Sequence, residues 1–296
     1  MNRLRNTRRS LFLVPALALL TAFVIYPVVN TVYLSFVSSE GAFNFPGNYI
    51  NVLSSRDIVD LRGFTRGFPF GALIHNLIWI GIHLPLTTFL GLFLAVVLRN
   101  VKGSTFIKST IFLGMVIPMI VGGVLLRFMF DKDAGILNAF LGAVGLTTKS
   151  WTAYPDTALL ALIFGSVWLW TGFSMVLYSA GLGTIPKEVY EAARVDGATP
   201  WRMFFKITIP LLRPITIVVI TMTVLWELKI FDIVYVATAG GPGRASNVLA
   251  LQMYQYAFRS RIFGFNEAAV VSTLLMLITL GVAVPMIVSI VRKERR

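Results

Sequence analysis

The chain has 296 residues, 56% of them apolar, 13% charged and 13% aromatic, with a mean hydropathy of +0.78. A soluble domain carries roughly 25% charged residues, so the composition excludes an ordinary soluble domain, a disordered segment and a nucleic-acid-binding arm. Lys and Arg number 26 against 13 Asp and Glu, a formal charge of +13, which in an apolar chain marks the cytoplasmic side of a membrane. The class is an all-α integral membrane protein.

Six apolar runs are long enough for the roughly 20-residue crossing of a bilayer: 11–37, 71–98, 105–130, 157–183, 209–236 and 268–291. The first follows Arg3, Arg5, Arg8 and Arg9, but it is longer than a secretory core and is interrupted by Pro15 and Pro27, so it reads as a retained span. Span two carries His75 and His83, eight residues apart and without a carboxylate neighbour in the run, which read as structural histidines. The chain has no cysteine, so thiolate metal sites are excluded and no metal site is expected. Arg127 and Asp131, four apart at the end of span three, read as a snorkelling anchor.

Basic residues fix the orientation. One side holds the N-tail arginines, then Arg99, Lys102 and Lys108, then Lys187, Arg194, Arg202, Lys206 and Arg213, and finally Arg292, Lys293, Arg295 and Arg296. The opposite loops hold half as many, so the richer side faces the cytoplasm and both termini lie there. The outer loops are too short for a domain of their own, and residues 1–296 read as a single transmembrane domain. Their Gly, Pro and aromatic content fits a docking surface or plain loops equally. Gly240-Gly241-Pro242-Gly243 in the last of them reads as a plain loop, not a phosphate cradle.

The loop 184–210 is the most informative segment. Pro186 suits the first turn of a helix over 187–195, which Asp196-Gly197 breaks, because Gly tolerates positive φ and Asp bonds nearby amides. Thr199 and Pro200 then form the cap and first turn of a second short helix, with Phe204, Phe205 and Ile207 as its apolar side. Two readings stand on these residues: an amphipathic connector lying in the headgroups, or a compact knob offered to a protein groove, with Glu191, Ala192, Ala193, Asp196 and Gly197 at its tip and Glu191 available to an arginine there.

Span five carries Glu227, Lys229 and Asp232, and charge inside a span is at least about 2.5–3.5 kcal/mol unfavourable on insertion scales. Lys229 and Asp232 are spaced to pair on one helix face, which leaves Glu227 for another partner. Thr223, Trp226, Glu227 and Ile230 follow one face of a helix, and Glu227 lies roughly 20–27 Å from the start of the span at 1.5 Å per residue.

The run Glu191-Ala192-Ala193 to Gly197, then Phe204, Ile207 and Pro210, resembles the EAA loop of ABC-importer permeases in their carbohydrate-uptake branch. Trp226, Phe231-Asp232, Tyr235 and Gly240-Gly241-Pro242 resemble the maltose-permease-F and glycerol-phosphate-permease-A type. Ile209 stands where leucine is usual, a conservative departure. The resemblance implies the type I importer permease fold and a subunit that pairs with a second permease, an ATPase dimer and an extracytoplasmic binding protein in the cell membrane.

It also implies that the 184–210 loop is the coupling helix, with Glu191 its polar anchor. The chain itself is non-catalytic on this reading and binds no cofactor; ATP and Mg belong to the partner ATPase. The sequence agrees, since no Gly-Lys dipeptide occurs and a P-loop is therefore absent. By the same resemblance the sugar lies against span five and an aromatic stretch of span four, which makes Thr223, Trp226, Glu227, Ile230, Trp170 and Phe173 the substrate candidates. An aromatic beside a carboxylate suits the C–H faces and hydroxyls of a sugar; the alternative is that the rings pack and Glu227 pairs with the second permease. A stand-alone channel or secondary transporter also fits six spans, but it leaves the Glu191–Gly197 pattern without a purpose.

Overall fold

The computed structural model describes residues 12–294, with side chains as far as residue 288. Arg3, Arg5, Arg8, Arg9, Arg295 and Arg296, and the side chains of Arg292 and Lys293, lie outside the described residues. In chain order the helices are α1 (Val14–Ser35), α2 (Gly47–Leu53), α3 (Gly63–Arg66), α4 (Ala72–Val97), α5 (Ser104–Val116), α6 (Met119–Met129) and α7 (Ile136–Ala143). There follow α8 (Pro155–Gly183), α9 (Lys187–Val195), α10 (Pro200–Leu211), α11 (Arg213–Leu228), α12 (Asp232–Thr238), α13 (Leu249–Phe258) and α14 (Phe265–Glu294). Among the described residues the extended structure amounts to a single bridge between Val37 and Phe43.

Helices α1, α4, α8 and α14 are long and apolar enough to cross a membrane, so the protein is multi-pass. Two expected spans are broken. The run 105–130 is two helices, α5 and α6, bent by 99°. Pro118 disfavours helical backbone at the residue before it, and Ile117 adopts ψ 128°. The run 209–236 begins within α10, turns by 65° at Leu212 and ends its long helix at Leu228. Pro214 supplies no N–H to the preceding turn and crowds the carbonyl four residues back, which accounts for the bend.

Proline leaves a second trace. The chain widens into a π-turn at Thr21–Ile25 just before Pro27, and again at Phe204–Thr208 just before Pro210. A wide turn lets a proline ring fit where the ordinary i→i−4 bond is forfeited.

The chain divides into two compact units, residues 1–55 with 252–277 and residues 56–251 with 278–296. In the first, α1 shows apolar side chains to its surroundings along nearly its whole length, as a helix bathed in lipid does. Its C-terminal carbonyls are not left bare. Asn48 Nδ2 donates to Ser35 O at 3.2 Å and to Val37 O at 2.8 Å, while Asn266 Nδ2 donates to Leu34 O and Val37 O. Orphan carbonyls at a helix end need such partners.

In the second unit α8 is the axle, with most of its length buried between α4 and α5. Small residues allow the close crossings. A Cβ on Gly91 would stand 2.3 Å from Ser174 Cβ, and one on Gly172 would stand 2.8 Å from Phe112 Cα. Backbones approach closely in this way where helices associate in lipid, because packing rather than water exclusion holds them together.

Candidate functional site

The 184–210 loop forms where its sequence places it. Helix α9 spans Lys187–Val195, and its C-terminus closes as a Schellman turn: Ala198 N–H donates to Ala193 O at 2.9 Å and Gly197 N–H to Arg194 O at 3.0 Å. Gly197 has φ +74°, the left-handed conformation the motif requires. Thr199 Oγ1 accepts from Arg202 N–H at 3.3 Å and caps α10. Glu191, Ala192, Asp196 and Gly197 are exposed and Ala193 is half-buried.

The knob is also sticky. Val195 is 88% exposed, Trp201 73% and Phe205 56%, and the last two rings stack at 6.0 Å. Its root is held firmly. Ile185 and Leu212 belong to a core with Leu98, Met175, Tyr178 and Leu182. Tyr190 packs on that core, lies under the Arg99 guanidinium at 5.0 Å and shares a hydrogen bond with Thr208 Oγ1 at 3.1 Å. The loop thus carries exposed acidic and aromatic side chains on a base fixed to the buried core.

The span-five residues converge on a second locus. Trp170 of α8 stacks on Trp226 of α11 at 4.6 Å and 19°, and its Nε1 donates to Thr223 Oγ1 at 2.8 Å. Phe173 extends the stack, 5.1 Å from Trp170. Glu227 is fully buried, with Oε1 2.6 Å from His83 Nδ1 on α4, while the His83 ring lies 5.4 Å from Trp226. Thr223, Trp226, Glu227, Trp170 and Phe173 therefore gather at one place.

Several expectations require correction. Ile230 is buried, but it lies past the end of α11 and not on its face. Lys229 and Asp232 form no ion pair, because the helix that would align them stops at Leu228; both are exposed. His83 does have a carboxylate neighbour, supplied by another span. Arg127 and Asp131 are not bonded either. Asp131 Oδ1 instead accepts from the amides of Asp133 at 2.9 Å and Ala134 at 3.0 Å, and these bonds hold its carboxyl below the usual range, with the Arg127 charge a minor contribution.

The break after Leu228 is compensated from α4. Asn76 Nδ2 donates to Glu227 O at 3.0 Å, and Asn76 Oδ1 accepts from Leu249 N–H at 2.8 Å. His75 accepts at Nε2 from Phe70 N–H at 3.0 Å, so its Nδ1 carries the proton given to Asn247 O at 2.8 Å, a neutral structural imidazole. Sequence reasoning missed Asn76, Trp79, His83 and Thr87 as a group. Their spacing of three, four and four residues on one apolar helix was the pattern that reveals a buried polar face.

The Gly240–Gly243 segment is tied to itself. Gly241 N–H donates to Thr238 O, and Ser246 Oγ bonds Gly241 O at 2.6 Å and Thr238 Oγ1 at 2.8 Å. Its polar groups are spent on holding the loop, and Arg244 is paired with Asp57.

Residues 87–296 match the family described as "Binding-protein-dependent transport system inner membrane component". A protein of Pyrococcus horikoshii named as an ABC transporter permease is 57% identical over 282 residues, 93% of this chain and 95% of that one. The trehalose/maltose transport system permease protein MalF of Thermococcus litoralis is 30% identical over 275 residues, 91% of this chain and 89% of that one. The fold is shared with the crystal structure of a bacterial alginate ABC transporter in complex with its alginate pentasaccharide-bound periplasmic protein, at a TM-score of 0.79 and 19% identity over 95% of this chain and 93% of that one. The knob, the broken helices and the stacked core of the second unit are thus those of a non-catalytic membrane subunit, and the chain belongs to the family of binding-protein-dependent ABC transport permeases.

Proposed function

We propose that the chain is one of two permease subunits of a carbohydrate importer, that each bent helix pair is one span of a six-span subunit, and that both termini lie in the cytoplasm. The observation that carries the coupling half of this reading is the α9–α10 knob. Its tip offers Glu191 and the Trp201–Phe205 stack, while its root is fixed to the ends of α4, α8 and α11. Closure of a partner ATPase dimer around ATP and Mg pulls on such a tip and moves the spans with it. Residues Glu191, Ala192, Ala193, Asp196 and Gly197 form the contact; this chain supplies no nucleotide site.

The carbohydrate half is supported by the trehalose/maltose relative and by the Trp226, Trp170 and Phe173 rings beside the Glu227 carboxyl. Aromatic faces meet the C–H faces of a sugar, and the carboxyl meets its hydroxyls. Thr223 orients Trp170.

Mild-detergent purification of the tagged chain from its native membrane, with mass spectrometry of co-purifying chains, tests the assembly. Recovery of a second permease, a P-loop ATPase and a sugar-loaded binding protein is the expected result. Recovery of the chain alone, from membranes in which other ABC complexes survive the same detergent, overturns it.

A further inference from the structure

His83 stands on the buried face of α4 with Asn76, Trp79 and Thr87. It and Glu227 are fully shut away from solvent. At 2.6 Å a proton lies between His83 Nδ1 and Glu227 Oε1. The backbone of the same residue is held as well, by Asn76, so α4 grips Glu227 at both its carbonyl and its carboxyl. Three polar atoms of these residues remain without a hydrogen bond: Glu227 Oε2, His83 Nε2 and Trp79 Nε1, the indole ring lying 6.3 Å from the His83 ring. A buried polar atom left unpaired is unfavourable by about 1–3 kcal/mol, a cost that is relieved when a polar ligand arrives.

We propose that His83 is a positioning residue of the sugar site. It holds Glu227 by Oε1 so that Oε2 is presented to a substrate hydroxyl that donates to it. This rests on the carbohydrate reading above. Trp226, the half-buried ring between His83 and Trp170, covers the pair; the contact forms when that ring turns aside while the α4–α11 clamp holds. His83 thereby sets where the carboxyl stands without touching the sugar.

The test uses the complete transporter in proteoliposomes, with radiolabelled maltose and trehalose as probes, and reads sugar taken up per ATP hydrolysed. A residue needed only for folding lowers uptake and hydrolysis together, whereas loss of the sugar contact uncouples them. H83F keeps a ring of similar size but has no nitrogen to bond Oε1, and the ratio is expected to fall about tenfold, the size of one charge-assisted hydrogen bond, with ATP hydrolysis within about twofold of wild type. H83N, whose Nδ2 stands where His Nδ1 stood and can donate to Oε1, restores the ratio to within about threefold. The double variant H83F/E227Q is no worse than E227Q alone, because His83 acts through Glu227.

An unchanged ratio in H83F, or independent multiplication of the H83F and E227Q effects, overturns the proposal. Failure of both H83F and H83N to assemble also overturns it, by assigning the pair to folding. Absence of wild-type uptake of both sugars, with binding protein and ATPase present, overturns instead the carbohydrate reading, and the positioning role falls with it.

Discussion

Replacing Gly197 by Ala perturbs the knob through its backbone alone. Gly197 has φ +74°, and no atom lies within 4 Å of where a Cβ would stand, so collision contributes nothing. What remains is the left-handed penalty of a residue with a Cβ, roughly 1–2 kcal/mol. Backbone amide exchange reads this directly, because the rate follows the local opening equilibrium. The amides at 197 and 198, bonded to Arg194 O and Ala193 O, are expected to exchange about 5–30-fold faster in G197A. G197N, which tolerates the left-handed region, recovers most of the protection, and G197V loses more than G197A. G183A is the control: its Cβ also meets open space, but the residue closes α8 with no positive φ, so both exchange and uptake stay near wild type. Uptake by the assembled transporter is expected to rank wild type, Asn, Ala, Val. Equal protection in wild type and G197A would refute the turn argument, and lost protection with normal uptake would refute its part in coupling.

The remaining predictions concern packing and charge. W170F keeps the stack on Trp226 but removes the 2.8 Å bond to Thr223, so thermal unfolding in detergent should show a loss of at most about 2 kcal/mol, against about 3–5 kcal/mol for W170A; equal losses would place the energy elsewhere. G91V forces a side chain against Ser174 and the Met175 backbone and should lower stability by 1–3 kcal/mol or more by the usual scale of about that size for overpacking, whereas G81A, facing open space, is tolerated. Asp60 is bound bidentately by Arg62, at 2.9 and 2.7 Å, and that guanidinium holds its carboxyl down at about 2. A depressed pKa contributes stability that is complete above the unfolded value of 3.8 and is lost as pH falls through about 2. Exchange protection of the Asp60 amide, bonded to Phe70 O at 2.7 Å, should fade in that window and should no longer track pH there in D60N.

The knob was legible because its chemistry is local. Pro186, Gly197, Thr199 and Pro200 each dictate a backbone conformation at their own position, and those conformations add up to a helix, a Schellman turn and a second capped helix. The spans were legible as apolar runs but not as straight helices. Pro118 and Pro214 lay in plain view, yet whether a proline kinks, breaks or merely widens a helix depends on which neighbours accept the freed carbonyls. Pro27 shows the milder outcome, with a π-turn and no break.

The proposed substrate locus was half legible. Thr223, Trp226 and Glu227 share a face of α11 by spacing, but the end of that helix at Leu228 depends on Asn76, 151 residues away, taking the Glu227 carbonyl. The separation that defeats sequence reasoning also hid the His83–Glu227 bond, which spans 144 residues. Lys229 and Asp232, adjacent by helical count, were parted by the same break.

Site-specific photocrosslinking from position 191 in native membranes tests the coupling claim most directly. A photoreactive residue in place of Glu191, in the otherwise intact chain, is predicted to capture a P-loop ATPase, with a yield that changes when ATP is trapped on the complex. Efficient crosslinking to lipid or to this chain alone, in membranes where the ATPase co-purifies with it, would contradict the account.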